Sequence, residues 1–428
     1  MKRGIFTGST AFVLLLGLIF LWLPWLGIGP FDPAGENGEA AVATSMLQSG
    51  DWILPTDPAG SFPANPPFVA WLIAVFAWLL NGGVVNEFVA RLPSALAAIG
   101  MCFMGYVWAK SHHDRFFAMT FALVTATSYG VYHAAAVSDI GMVSAAAMVG
   151  AIYVIYEIRE RQGRDNVGWY SACAGLLTAA TLTSGPVGAL LPCLCGLIYL
   201  ICRHDNILNS VLKMLLLMLV SFVLPTLWYY AAWKRGGQPF LDMAFGDIGC
   251  LFGAPAFDSQ LRPFFFGIGS VIVGMLPWTL LAVLSAFRWR TWHKWPFKPA
   301  GLISTVAALT VIVFYCFPSR KSASELLPAY PFMAYGITVL IDSLRGSHIT
   351  RFFGRLMAFF GIFMPIAVAL VELVPNNFFP DYSIPGWYSW IAVALPVGVT
   401  VWWLFGKTRS EVAMPVVWAL YVALSALL

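Results

Sequence analysis

Few side chains in this sequence could do chemistry, and they gather in short polar stretches. The first, residues 30–81, carries Asp32, Glu36, Glu39, Asp51 and Asp57 among prolines and apolar residues. Glu36-Asn37-Gly38-Glu39 stands before AAVATSMLQSGDW, which reads as a short amphipathic helix ending at Gly50. Acids in that position either satisfy the free N–H groups at the helix start or serve catalysis. Asp51 and Asp57, in SGDW and TDPAG, have the character of turn residues. The second stretch holds Asp139, in HAAAVSDIGMV. An acid opening an apolar helix can be its N-cap, and at a membrane boundary it is also a functional candidate. The third is PSRKSASE, residues 318–325, whose adjacent Arg320 and Lys321 can neutralise a phosphate or anchor lipid headgroups.

The elements that must position these groups are membrane helices. The chain has 428 residues, 60% of them hydrophobic and 10% charged, which is far outside the soluble range and fits an integral membrane protein. Its net charge of +4 is small, and nothing resembles a nucleic-acid-binding module, so no nucleic-acid partner is expected. Of the seven cysteines only Cys250 sits in a polar loop; the spacing fits neither a disulfide framework nor a metal site, and Cys193 and Cys195 read as packing residues inside a helix. Lys2 and Arg3 precede the first apolar run, which is long and lacks a small-residue cleavage site, so it reads as a retained membrane helix.

Thirteen apolar stretches are long enough to span a bilayer: 10–27, 88–110, 116–135, 139–157, 167–183, 185–202, 212–233, 264–287, 302–317, 327–341, 356–374, 390–405 and 412–428. A fourteenth, 66–80, is short and follows Pro66-Pro67. If it lies along the surface, loop cations divide 18 inside to 6 outside; if it crosses, the division becomes 8 to 16. The excess of cations on cytoplasmic loops decides for the surface helix, with the N-terminus inside and the C-terminus outside. The expectation is an all-α polytopic bundle forming one domain over residues 1–428. Its two large outer loops are 29–87, with juxtamembrane helices, and 234–263. The charge runs 157–164 and 288–298 read as solvated inner loops. Acids gathered at one surface, with no paired halves, speak against a transporter.

Several motifs resemble those of the C-type-fold glycosyltransferases that use lipid-linked sugars, in the group of the aminoarabinose (lipid A) transferases and protein O-mannosyltransferases. They are GDW at residues 50–52, Pro66-Pro67, RLPSAL at 91–96, the acid Asp139, Leu182-Thr183-Ser184-Gly185-Pro186, Pro277-Trp278, and Ser319-Arg320-Lys321 followed by LPAYP at 327–331. The likeness covers nearly the whole chain. Several charged positions of the family's pattern differ: Gly35, Ala64-Asn65, Ser184, Cys250 and Glu325 stand where the pattern has Asp, Glu-Lys, Lys, Arg and Tyr.

The resemblance implies a multi-pass protein of the bacterial cytoplasmic membrane whose active site faces outward. The expected reaction moves a sugar, with inversion, from a polyprenyl-phosphate donor to a lipid A-like or protein acceptor. The lipid-linked sugar is then a substrate, and no cofactor is implied. Such a reaction needs a carboxylate to take the acceptor proton and positive charge around the leaving phosphate. The residues expected in these roles are Glu36 as base, with Asp32 and Glu39 as substitutes, and Asp139 as the orienting acid. Arg320, Lys321 and Asn65 would hold the donor phosphate. The departures leave open a second reading, a catalytically silent fold-mate that binds a polyprenyl lipid or a membrane partner.

Overall fold

The computed structural model describes residues 6–31, 37–56, 62, 66–161, 167–252, 257–285, 299–316, 323–372, 386–405 and 413–427. Seventeen α-helices and no strand occur among them. Helix α1 (Phe6–Trp22) is followed by two short helices, α2 (Asn37–Ser49) and α3 (Phe68–Leu80). Then come α4 (Glu87–His112), α5 (Arg115–Ala126), α6 (Tyr129–Ala136), α7 (Ile140–Glu160), α8 (Val167–Ser184), α9 (Val187–Cys202) and α10 (Ile207–Phe252). The second half holds α11 (Phe257–Gly274), α12 (Trp278–Ser285), α13 (Pro299–Cys316), α14 (Tyr330–Ser343), α15 (His348–Glu372), α16 (Gly386–Phe405) and α17 (Met414–Leu427). A 3₁₀ segment, Ala323–Ala329, leads into α14.

Every one of the thirteen apolar stretches is occupied by helix, as the hydropathy requires. Five helices among the described residues are long and apolar enough to cross a bilayer alone, and the pair Phe266–Gly274 and Trp278–Leu284, bent by 101°, meets the same length and composition when taken together. The bend falls at residues 275–277, where Pro277 has no N–H to continue the helix. Trp278 is fully buried and its indole N–H donates to the Thr127 hydroxyl at 3.1 Å, tying the bend to the break between α5 and α6.

The fourteenth stretch is α3, thirteen residues long. That is roughly 20 Å of helix, shorter than a hydrocarbon layer of about 30 Å. Buried Arg91, in the second turn of α4, donates to the carbonyls of Leu26 (2.9 Å), Gly29 (3.0 Å) and Pro30 (2.8 Å). These carbonyls belong to the turn that follows α1, so the start of α4 is tied to the end of that turn. The side of the bundle that carries α2 and α3 is called here the cavity face.

Two polar runs differ from their sequence reading. Residues 234–252 continue α10 beyond the bundle as helix, kinked at Gly237. The helix persists because Trp228, Ala232 and Phe240 bury themselves against Leu54 of the segment between α2 and α3. The run starting at Glu157 is not a solvated loop; Glu157 is 5% exposed in the last turns of α7. Its carboxylate takes His112 Nε2 at 2.6 Å and the Arg161 Nε–H at 2.5 Å, while Arg159 bonds Asp205 at 3.1 Å and the Tyr199 hydroxyl donates to Glu160 at 2.9 Å. Glu157 is the buried member of this cluster, so its carboxylate needs the partners it finds; the other charges are partly exposed. This cluster marks the face opposite the cavity.

Candidate active site

Two acids from distant parts of the chain meet on the cavity face. Glu39, in the first turn of α2, and Asp139, just ahead of α7, line one cavity of about 780 Å³. Its other walls come from α6 (Tyr129, Gly130, His133), from α11 (Phe266, Ser270, Gly274), and from Ser324, Leu327 and Tyr330 before and at the start of α14. The acids differ in how they are held, and the difference sets what each can do.

Asp139 is fixed as an acceptor. Its Oδ1 takes the Gly141 backbone N–H at 2.8 Å, capping α7, and its Oδ2 takes a hydrogen bond from the Ser324 hydroxyl. The backbone is clamped as well: the Asp139 N–H donates to Ser94 Oγ at 3.0 Å, and the Ser94 hydroxyl donates to the Asp139 carbonyl at 3.2 Å. Donors from two separate elements thus fix the orientation of the carboxylate. The fit requires Gly141, since a methyl group there would lie 2.6 Å from Ser324 Cβ. Both local readings of Asp139 thus hold together: it is the cap, and its carboxylate faces the cavity.

Glu39 sits in the opposite regime. Its residue surface is partly open, but the carboxyl is enclosed where α3 folds over α2. Burial raises it from 4.5 to about 7, and a hydrogen bond from the Ala70 N–H in the first turn of α3 draws it part of the way back. A carboxyl titrating near neutrality suits proton transfer at physiological pH. Glu39 and Asp139 therefore form an unlike pair, one poised to exchange a proton and one fixed in orientation by its hydrogen bonds.

The remaining expected site residues, Asp32, Glu36, Asn65, Arg320 and Lys321, lie outside the described residues. Ser184 stands where the resemblance led one to look for a lysine, and its hydroxyl donates to Ser144 at 2.5 Å. Asp51 is the turn residue its motif suggested, accepting from the N–H groups of Ile53 (3.0 Å) and Leu54 (3.1 Å). It also bonds Arg235 of α10, a partner 184 residues away. Burial raises this carboxyl, but the two N–H groups and the guanidinium outweigh it and hold it below the usual range. The motif's Trp52 lends its carbonyl to the Trp71 indole at 2.8 Å, and Trp228 bonds the Ile53 carbonyl at 2.9 Å. The GDW segment is thus a joint between α3 and α10.

Sequence reasoning missed Ser324, Tyr129, His133 and Tyr330. Tyr330 had a signal, the LPAYP motif: its ring is packed between Gly130 and Gly274, and its hydroxyl donates to the Ser270 carbonyl at 3.2 Å. A methyl at Gly274 would lie 2.0 Å from that hydroxyl, so this wall of the cavity depends on glycine.

Comparison with known proteins agrees with this architecture. Residues 64–229 match the family described as dolichyl-phosphate-mannose-protein mannosyltransferase. An uncharacterised protein of Aquifex aeolicus is 27% identical over 374 residues, covering 85% of this chain and 80% of its own. An undecaprenyl phosphate-alpha-4-amino-4-deoxy-L-arabinose arabinosyl transferase of Pectobacterium carotovorum is 23% identical over 414 residues, covering 92% of this chain and 73% of its own. The crystal structure of ArnT from Cupriavidus metallidurans bound to undecaprenyl phosphate superposes with a TM-score of 0.72 at 20% identity, over 98% of this chain and 76% of that one. The fold is that of a C-type glycosyltransferase bundle, and the resemblance read from the motifs is borne out.

Proposed function

We propose that the chain is a membrane glycosyltransferase that moves a sugar, with inversion, from a polyprenyl-phosphate donor to a lipid acceptor of the lipid A type. The observation that carries this reading is the meeting of Glu39 and Asp139 on one cavity at the rim of a bundle with the ArnT fold. In the reaction the acceptor hydroxyl oxygen attacks the anomeric carbon. The bond from that carbon to the phosphate oxygen breaks, and the polyprenyl phosphate leaves with the electron pair. The hydroxyl proton passes to a carboxylate. Glu39 takes it; Glu36 and Asp32, earlier in the same stretch of sequence, are the other acids that fit the role. Asp139 orients the acceptor hydroxyl or the sugar, with Ser324 holding its carboxylate in place. Arg320 and Lys321, which precede Ser324 in the sequence, together with Asn65, neutralise the donor phosphate.

The cavity face is the outer face of the cytoplasmic membrane in this reading, with the N-terminus inside and the C-terminus outside. Lys110, Arg159, Arg161 and Arg203, at the opposite helix ends, support that orientation. The whole chain is a single transferase domain, and its cavity-face excursions are 29–87 and 234–263. A protein hydroxyl is the alternative acceptor, suggested by the mannosyltransferase match alone.

The test uses the full chain in lipid nanodiscs with polyprenyl-phosphate sugars and lipid A, following product by mass spectrometry. Product is expected from the wild type and loss of product from Asp139→Asn. Binding of undecaprenyl phosphate with no transfer from any donor would reject catalysis and leave the silent lipid-binding reading.

A further inference from the structure

The ionisable side chains among the described residues lining the cavity are Glu39 on α2, Asp139 at the start of α7, His133 and Tyr129 on α6, and Tyr330 on α14. Two carboxyls make this a poor place for an anion, since like charges repel strongly where water is scarce. Yet the proposed donor and leaving group are both phosphates. The group that could help at Ser184 is neutral and turned to Ser144. His133 is the one member of the described lining set able to carry positive charge. It lies in the last turn of α6, its side chain is exposed, and its ring stands 5.8 Å from that of Tyr129 one turn earlier. Its neighbours in α6, Gly130 and Ala134, line the same cavity.

We propose that His133 is a phosphate-binding residue of this cavity: it donates an imidazole N–H to the donor phosphate and, as imidazolium, adds the charge that offsets the two carboxyls. This rests on the glycosyltransferase reading above and deepens it. Imidazole donates a hydrogen bond in either protonation state. Phosphate affinity should also fall as pH rises through about 7, because Glu39 then loses its proton and the cavity gains a negative charge.

The experiment measures binding of undecaprenyl phosphate and of neutral undecaprenol to the full chain in nanodiscs, at pH 6 and pH 8, for the wild type, His133→Gln and His133→Lys. Thermal unfolding confirms that each variant is folded. His133→Gln is expected to weaken undecaprenyl-phosphate binding about tenfold at pH 6 while leaving undecaprenol unchanged. His133→Lys should recover most of the loss. Unchanged phosphate affinity in His133→Gln overturns the proposal, and so does equal weakening for undecaprenol, which would mark a packing role. If the wild type shows no preference for the phosphate lipid over the alcohol, the glycosyltransferase reading fails first and the proposal falls with it.

Discussion

Replacing Glu39 by Gln should stabilise the protein and disable it. In the folded chain this carboxyl titrates at about 7, against 4.5 ordinarily. The folded state holds the proton more tightly than the unfolded state, so the stability contributed by this group is complete below about 4.5. It declines as pH rises and is gone above about 7. Ionising the buried carboxyl at pH 8 thus costs about 3 kcal/mol at most, and about 1–2 kcal/mol once the surroundings relax. Glutamine keeps a carbonyl for the Ala70 N–H and has no charge to bury. At pH 8 Glu39→Gln should raise the melting temperature in detergent by about 2–4 °C; at pH 5, where the wild-type carboxyl is already largely neutral, the gain should be near zero. Transfer should fall by about a hundredfold or more, because a neutral amide takes no proton. In the wild type, kcat/KM should rise with pH through about 7, opposite to stability. A melting shift equal at both pH values would refute the burial argument, and wild-type turnover in the variant would refute the assignment of the base.

The other expectations separate scaffold from chemistry. Asp139→Asn keeps a good N-cap for α7, so thermal stability should change by less than about 0.5 kcal/mol while transfer drops by about a hundredfold. Asp139→Ala should add about 1 kcal/mol of destabilisation for the lost cap, and a comparison of the two melting curves checks this. Arg91→Met removes the donors to the Leu26, Gly29 and Pro30 carbonyls and should destabilise by about 3 kcal/mol or more, seen as a large fall in melting temperature. Gly274→Ala puts a methyl 2.0 Å from the Tyr330 hydroxyl, forcing the ring aside. It should destabilise by about 1–3 kcal/mol and raise KM more than it lowers kcat, measured by steady-state transfer.

The bundle was legible because long apolar runs in a chain this poor in charge have to form helices, and the described parts of the thirteen runs are helical almost throughout. The link from Arg91 back to the turn after α1 joins residues more than sixty positions apart and has no local signature. Asp139 could be found because an acid opening an apolar helix has local meaning. Glu39 offered only the choice between cap and catalyst, since its enclosure depends on α3 folding over α2, which no local pattern encodes. Ser324 and Arg235 are long-range partners whose pairing exists only in three dimensions. The stretch after Trp233 read as loop because Lys234 and Arg235 break the apolar run and Gly236, Gly237 and Pro239 are poor helix formers. Packing of Phe240 against Leu54 overrides that propensity.

The anchorage at Arg91 has an evolutionary corollary. A segment held between two points joined by one rivet can lengthen, shorten or exchange its acids without altering how many times the remaining chain traverses the lipid. Two of the departures from the family's pattern, Gly35 and Ala64-Asn65, fall within this excursion, where a change of side chain leaves the count of crossings untouched.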